Sequence, residues 1–283
     1  MNRLFVDRLT VIDCALLHPQ RGLLGESWLC DLELGGGLDA QGMVLDFGEV
    51  KRTVKGIIDT VFDHRLLVPA RHPGLAIAAD GERLRIDFPY GDGRHVAHDG
   101  PADAVHLIDA PEVSAQAVSR AIRQALSPAL PPNVHEVAVS LRTEASAGAQ
   151  YRYCHGLRQH AGNCQRIAHG HRSRIEILRD GACAPGLEAE WAGRWRDAYV
   201  GTRADLAETR LRDGIPVHCF QYVAAQGAFA LEIPVERCYL IDTDSTVEHL
   251  AAHVAARLAI EHPGARYRVR AFEGVDKGAI AEA

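Results

Sequence analysis

Residues 151–171 read YRYCHGLRQHAGNCQRIAHGH, two strand-like runs separated by a turn that contains Gly162 and Asn163. His169 and His171 are two positions apart, so on a strand both imidazoles lie on the same face. An antiparallel pairing of the two runs would bring His155 beside them. The stretch therefore predicts a β-hairpin that carries three histidines on one face.

Three neutral histidines with an open fourth position are typical of a catalytic zinc site. Chance alone could produce an HGH triplet, because the chain contains 15 histidines. His160, in the turn, could also replace any one of the three. The additional histidine on the neighbouring strand favours a metal site, so we predict zinc on His155, His169 and His171.

Two cysteines lie close to these histidines. Cys164 is in the polar turn, beside the predicted cation, where a thiol becomes usable as a nucleophile or a proton carrier. Cys154 precedes His155 on the strand and would point to the opposite face, so we interpret it as structural. The seven cysteines of the chain form no CxxC pair and no disulfide-framework spacing, which indicates free thiols in the cytoplasm.

Outward from the hairpin, the same elements are predicted in both halves of the chain. Strand patterns occur near the N-terminus, in VHEVAVSLRTE and in ARYRVRAFE. Apolar residues from Phe47 to Phe62 recur on one helical face, and further helices are predicted at 113–126 and 245–258. Residues 113–122 and 246–255 share apolar spacing at an offset of about 132 residues, and similar strands follow both. This predicts two diverged copies of one unit, 1–145 and 146–283.

Composition excludes several classes of protein. The chain has 283 residues, of which 47% are hydrophobic, and a formal charge of -6. No run approaches the ~18 apolar residues of a membrane helix, and Asp7 and Asp13 interrupt the opening, so we expect neither a membrane protein nor a secretory signal. The negative charge argues against nucleic acid or an anionic membrane as the main partner.

Four short motifs resemble the family of 6-pyruvoyltetrahydropterin synthase and 6-carboxytetrahydropterin synthase. The first is the strand histidine, turn cysteine and His-Gly-His described above. The second combines GMVLDFGEVK at 42–51 with FDHRLL at 62–67. The others are STVEHL at 245–250, which resembles the family's T-x-E-N helix start, and AFE at 271–273, which resembles its final W-E-T strand.

The motifs are divided between the two copies. The second copy carries the histidines, the cysteine and both glutamates, whereas the first carries D-F-G and D-H. Where the family has histidines, the first copy reads Ile12-Asp13-Cys14 and Gly25-Glu26-Ser27. In the family the active site lies between subunits, so a fusion would let each copy keep its own side of a shared interface. The resemblance implies one composite site per chain, or one between chains.

The resemblance implies roles for these residues. The substrate would be 7,8-dihydroneopterin triphosphate, with zinc on the three histidines. Cys164 would act as the general base or acid, with Asp63 and His64 as its relay. Glu248, and Glu273 with it, would bind the guanidine-like edge of the pterin.

Each role has a structural alternative. Glu248 could complete a capping box with Ser245, and Glu273 could be a solvated strand residue. Asp63 and His64 could form a polar helix terminus, and Asp46 reads better as a helix N-cap than as a catalytic acid. Four cations are candidates for the triphosphate: Lys51, Arg166, Arg172 and Arg174.

We predict an α+β protein of two tandem T-fold (tunnelling-fold) modules, each an antiparallel four-stranded sheet with two helices on one face. Exposed sheet edges predict a homo-oligomer, a dimer or trimer of the two-module chain.

The favoured function is a zinc-dependent lyase of pterin or deazapurine (queuosine) biosynthesis that forms 6-carboxy- or 6-pyruvoyl-tetrahydropterin. The alternatives are a related enzyme that cleaves the pterin side chain and a non-catalytic pterin- or zinc-binding assembly protein. Residues 190–240 read as an insert with no predicted role.

Overall fold

The computed structural model describes residues 2–283. Residues 2–145 contain eight strands: β1 (Asn2–His18), β2 (Gly22–Gly36), β3 (Leu66–Pro69), β4 (Ala76–Asp80), β5 (Arg83–Tyr90), β6 (Arg94–Pro101), β7 (Val105–Ile108) and β8 (Val134–Arg142). Five of them form one sheet in the order β7-β3-β1-β2-β8. The long hairpin β1–β2 is its centre, and β3 runs parallel to β1.

A helical segment covers the face of this sheet where the sequence predicted one. It comprises α1 (Phe47–Glu49), a π-helical stretch (Val50–Lys55) and α2 (Gly56–Val61). The Asp46 carboxylate accepts hydrogen bonds from the first backbone N–H groups, which confirms it as the N-cap. The buried side chains Val50, Val54, Ile58 and Phe62 recur every four residues, a spacing that the wider π-turn accommodates better than 3.6 residues per turn. The next helix, α3 (Ala115–Leu126), packs on the same core and is capped by Ser114.

Residues 146–282 repeat this order with ten strands: β9 (Gln150–His155), β10 (His169–Arg179), β11 (Ala182–Cys183), β12 (Ala198–Thr202), β13 (Leu206–Arg212), β14 (Ile215–Ala224), β15 (Gly227–Pro234), β16 (Cys238–Ile241), β17 (Tyr267–Phe272) and β18 (Gly278–Glu282). The helices α4 (Pro185–Arg194) and α5 (Val247–Glu261) pack against the sheet β16-β12-β9-β10-β17-β18, in which β11 pairs with β10. No helix in residues 2–283 is long and apolar enough to cross a membrane.

A third sheet joins the two halves. Its order is β13-β14-β15-β6-β5-β4, with three strands from each half and an antiparallel seam between β6 and β15. His98 pairs with Leu231 at the middle of that seam. The core beneath this sheet contains residues of both halves, such as Phe88 and Phe220.

The structure confirms the α+β class and corrects two details. The predicted four-stranded antiparallel sheets are wrong, because β3, β7, β12 and β16 extend the two sheets in parallel. The segment 190–240 is also not an insert without a counterpart. It forms the end of α4 and β12 to β15, and the same order of elements occurs at 56–101 in the first half.

The two long hairpins cross each other at a pair of glycines. A Cβ atom on Gly170 would lie 2.7 Å from the Cα of Gly25, so neither position has room for a side chain. Ala15 pairs with Gly25 in the first hairpin, as Cys154 pairs with Gly170 in the second. In each hairpin, the residue that follows the glycine therefore lies against the first strand of the other hairpin.

Candidate metal and catalytic site

Three imidazoles converge on one face of the β9–β10 hairpin. His155 is directly opposite His169 in the antiparallel register, and His171 follows two positions later on the same face of β10. All three side chains are completely buried, and one nitrogen of each lies within 4.8 Å of the other two. His160 is not among them, because it is exposed in the turn, where its Nδ1 accepts a hydrogen bond from the N–H of Gly162.

The Nδ1 atom of each of these histidines faces an oxygen. That of His155 is 2.9 Å from the carbonyl oxygen of Ser245, and that of His169 is 3.1 Å from the carbonyl oxygen of Arg166. The Nδ1 of His171 is 3.2 Å from the Asp13 carboxylate. The hydrogen bonds of His155 and His169 place the proton of these two rings on Nδ1 and leave Nε2 as the free acceptor, whereas Nδ1 of His171 is close to the carboxylate but not aligned as a hydrogen bond.

The three Nε2 atoms fit a metal ion. All three are buried without a hydrogen-bond partner among the described residues. Burial lowers the pKa of His155 and His169 well below the ordinary value, which keeps both rings neutral. Three buried ring nitrogens without a hydrogen-bond partner are costly unless a cation satisfies them, and zinc suits a set of three histidines.

A relay from the first half lies beside the histidines. His64 follows α2 with a left-handed backbone (φ 54°), and its Nδ1 is 2.6 Å from the Asp63 carboxylate. Its ring stacks on that of His169 at a centroid distance of 5.5 Å and lies beside Cys164. Burial opposes the charged imidazole, but Asp63 and Cys164 outweigh it and raise the pKa of His64 to about 10. The structure thus brings Cys164, His64 and Asp63 together within one chain.

The two predicted substrate glutamates differ. Glu273 follows β17, and its carboxylate is 3.9 Å from Nε2 of both His155 and His171, so it is not a solvated strand residue. Glu248 is exposed in the first turn of α5 and has no hydrogen bond to the site. The capping-box alternative is also wrong, because the N-cap is Thr246, whose side chain accepts the N–H of His249.

Of the four candidate cations, only Arg166 is both buried and without a carboxylate partner among the described residues. Its Nη1 donates to the carbonyl oxygen of His64. Arg174 is paired with carboxylates, Arg172 donates to Gln150 and the carbonyl of Glu144, and Lys51 is exposed.

Sequence reasoning missed Asp13 and the contact made by Ser245. In the sequence Asp13 reads only as a position that the family fills with a histidine, and the strand registers correct this placement. The registers put Leu16, Leu24 and Glu26 at the positions of His155, His169 and His171. Cys154 is buried in the core beneath the third sheet, as predicted, and the seven cysteines are free thiols.

Comparison with known proteins agrees with these motifs. The family model of 6-pyruvoyl tetrahydropterin synthase matches residues 14–153. Residues 14–153 of the chain belong to this family. The matched region contains the D-F-G and D-H motifs and ends within β9, two residues before His155. Family membership supports a pterin-synthase-like lyase activity.

Solved structures of the family are similar over about half of the chain. A 6-pyruvoyl tetrahydropterin synthase of Plasmodium falciparum is 18% identical, with a TM-score of 0.41, over 50% of this chain and 90% of that one. That of Plasmodium vivax is 21% identical, with a TM-score of 0.41, over 52% and 93%. No curated protein matches the sequence.

Proposed function

We propose that this chain is a zinc-dependent lyase that converts 7,8-dihydroneopterin triphosphate to 6-carboxy- or 6-pyruvoyl-tetrahydropterin, and that it consists of two tandem T-fold modules, 1–145 and 146–283. The observation that carries the proposal is the convergence of three unpartnered, buried Nε2 atoms beside Cys164 and His64. A bound zinc ion would polarise the side-chain hydroxyls of the substrate and acidify the neighbouring C–H groups.

The residues around the histidines then move the protons. Cys164 and His64 are in contact, so one can remove a proton from a substrate carbon while the other returns one. Asp63 holds the ring of His64 through its Nδ1. A dication bound nearby would repel a second positive charge and so lower the pKa of His64, which favours the neutral ring that can accept a proton.

Substrate binding is assigned to Glu273 first. Its carboxylate can accept two parallel N–H bonds from the pterin edge and lies beside the histidines. Glu248 remains the second predicted anchor, from the exposed first turn of α5. Arg166 is the cation best placed for the phosphate chain, because its charge has no carboxylate partner within residues 2–283.

The experiment incubates zinc-loaded protein with 7,8-dihydroneopterin triphosphate and identifies products by mass spectrometry. Cys164→Ala and His64→Asn are expected to abolish the product, and Cys183→Ala, which removes an exposed thiol, is the matched control. Asparagine is chosen at 64 because it tolerates the left-handed backbone. Substrate that binds and stays unchanged contradicts the lyase, and release of a glycolaldehyde-type fragment indicates side-chain cleavage instead. If Cys164→Ala changes no measurable property, the non-catalytic binding protein is supported.

We also propose a cytoplasmic homo-oligomer, a dimer or trimer of the two-module chain. The outer edges of β8 and β18 have no paired neighbour in the part of the chain described. Such edges pair with another copy in a closed assembly. Light scattering coupled to size-exclusion chromatography measures the mass, and a monomer at micromolar concentration contradicts this proposal.

A further inference from the structure

Asp13 is a buried carboxylate of the first half that contacts the metal centre of the second half. Only 3% of the residue is exposed, and its Oδ1 is 3.2 Å from Nδ1 of His171. His171 is the only one of the three candidate ligands whose Nδ1 faces a side-chain carboxylate.

The surroundings of Asp13 keep it ionised and fixed. The hydroxyl of Ser27 donates to its Oδ1 at 2.5 Å, and Nζ of Lys277 is 3.1 Å from Oδ2. A Cβ atom on Gly274 would lie 2.4 Å from Oδ1, so the glycine leaves space for the carboxylate. The negative charge is therefore compensated, and the side chain has little room to turn.

The backbone of the same residue holds the relay. The N–H of Asp13 donates to Asp63 Oδ1 at 2.9 Å, and its carbonyl accepts the N–H of His64 at 2.7 Å. One residue thus contacts a candidate metal ligand through its side chain and both relay residues through its backbone.

The equivalent contact across the hairpin crossing has different chemistry. Glu26 follows Gly25 as His171 follows Gly170, and Glu26 reaches Arg152 on β9 as His171 reaches Asp13 on β1. A carboxylate faces the histidine on one side, and a guanidinium faces a glutamate on the other. The fold alone therefore does not require a carboxylate at the end of this contact.

We propose that Asp13 is a positioning residue for the metal centre: by accepting the Nδ1 proton of His171 it fixes the tautomer and the ring so that Nε2 faces the ion, and it ties that ligand to the Asp63–His64 relay. A carboxylate in this place also raises the basicity of the ligating nitrogen. The inference rests on the metal site of the proposed function.

The test measures the zinc dissociation constant by competition with a chromophoric chelator. Asp13→Asn is expected to weaken zinc binding roughly 10- to 100-fold, and Asp13→Glu to restore part of it. In the zinc-loaded protein, nitrogen-15 NMR should show a protonated His171 Nδ1 with slow proton exchange in the wild type and fast exchange in Asp13→Asn. A residue with a purely structural role would leave that signal unchanged.

Glu26→Gln is the matched control, since it removes the buried carboxylate from the equivalent contact and should leave zinc affinity within about threefold. Equal zinc affinity in wild type and Asp13→Asn overturns the inference while the proposed function stands. Wild-type protein that binds no zinc overturns both. Zinc binding that depends on Asp13 in a protein that converts no pterin leaves the inference intact and overturns the proposed reaction.

Discussion

The two sides of the hairpin crossing have the same backbone plan and opposite chemistry. On one side the Nε2 atoms of His155, His169 and His171 have no hydrogen-bond partner among the described residues, and they lie next to His64. On the other, Leu16, Leu24 and Glu26 occupy the equivalent positions. Asp197 takes the place of His64, with a similar left-handed backbone (φ 57° against 54°), and pairs with Arg21.

This difference shows how side chains can close one of two equivalent positions of the backbone. Apolar leucines fill two of the ligand positions, and two ion pairs, Glu26–Arg152 and Arg21–Asp197, satisfy the remaining polar groups. The polar groups of the closed side are paired with one another, whereas the open side has buried nitrogens without a hydrogen-bond partner among the described residues. Substitutions at equivalent positions therefore have different consequences.

The largest contrast is expected between His169 and Leu24. His169→Ala removes a ligand and should weaken zinc binding by more than the ~100-fold that loss of an outer partner costs. Leu24→Ala leaves zinc affinity unchanged but lowers the free energy of unfolding by about 2–5 kcal/mol, because it opens a cavity. Chelator competition and chemical denaturation measure the two effects. Similar zinc affinity in both variants would contradict the assignment of the open side.

A second contrast separates His64 from Asp197. His64→Asn should lower the rate of product formation ~10²- to 10⁴-fold, because the relay loses its acid and base. Asp197→Asn should keep the rate and lower the free energy of unfolding by about 1.5–3 kcal/mol, since Arg21 loses a charged partner. Steady-state rates and denaturation curves measure the two effects. A loss of rate in Asp197→Asn would contradict the purely structural role of Asp197.

The closed side can be tested through its own ion pair. Arg152→Met leaves Glu26 buried without its cation and should cost about 3 kcal/mol of stability. The double variant Glu26→Gln, Arg152→Met should recover much of that loss, because no uncompensated charge remains. A double-mutant cycle by urea denaturation measures the coupling; additive effects would show that the pair contributes nothing.

The smallest effect at neutral pH concerns the seam of the third sheet, where His98 pairs with Leu231. Burial lowers the pKa of His98 from its ordinary value of 6.5 to about 4. As the pH falls from 6.5 to 4, His98 binds a proton in the unfolded chain but not in the folded chain. The free energy of unfolding therefore decreases by roughly 3 kcal/mol. His98→Leu should stabilise the protein by about 1–2 kcal/mol at pH 7 and remove that dependence. Chemical denaturation at several pH values measures this dependence. The same change of unfolding free energy with pH in wild type and His98→Leu would contradict the burial argument.

The sequence predicted the parts of the fold and site that depend on local spacing. The alternation in HGH, the amphipathic pattern from Phe47 to Phe62 and the cap at Asp46 are properties of neighbouring residues. The structure has a hairpin, a helical segment and an N-cap at these places. The division of motifs leaves open whether Cys164 meets His64 within one chain or between chains, and the structure brings the two together within one chain.

What the sequence could not show depends on contacts between distant segments. The four-residue strands β3 and β7 are too short for a pattern, and the β6–β15 seam has no local signal at all. Asp13 reads as a polar residue in an apolar strand, and only the crossing of the hairpins places it against His171. The one feature of the sequence that could have indicated this contact is an aspartate at a position where the strand pattern predicts burial.

The crossing of the hairpins also has a consequence for the time course of folding. Each hairpin can form from contacts within its own half, but the metal site requires residues 13, 64 and 155 to meet after both halves are structured. Contacts between distant segments form late, because loop closure must come first. Zinc should therefore leave the refolding rate nearly unchanged and slow unfolding, so that the loaded protein persists through kinetic stability.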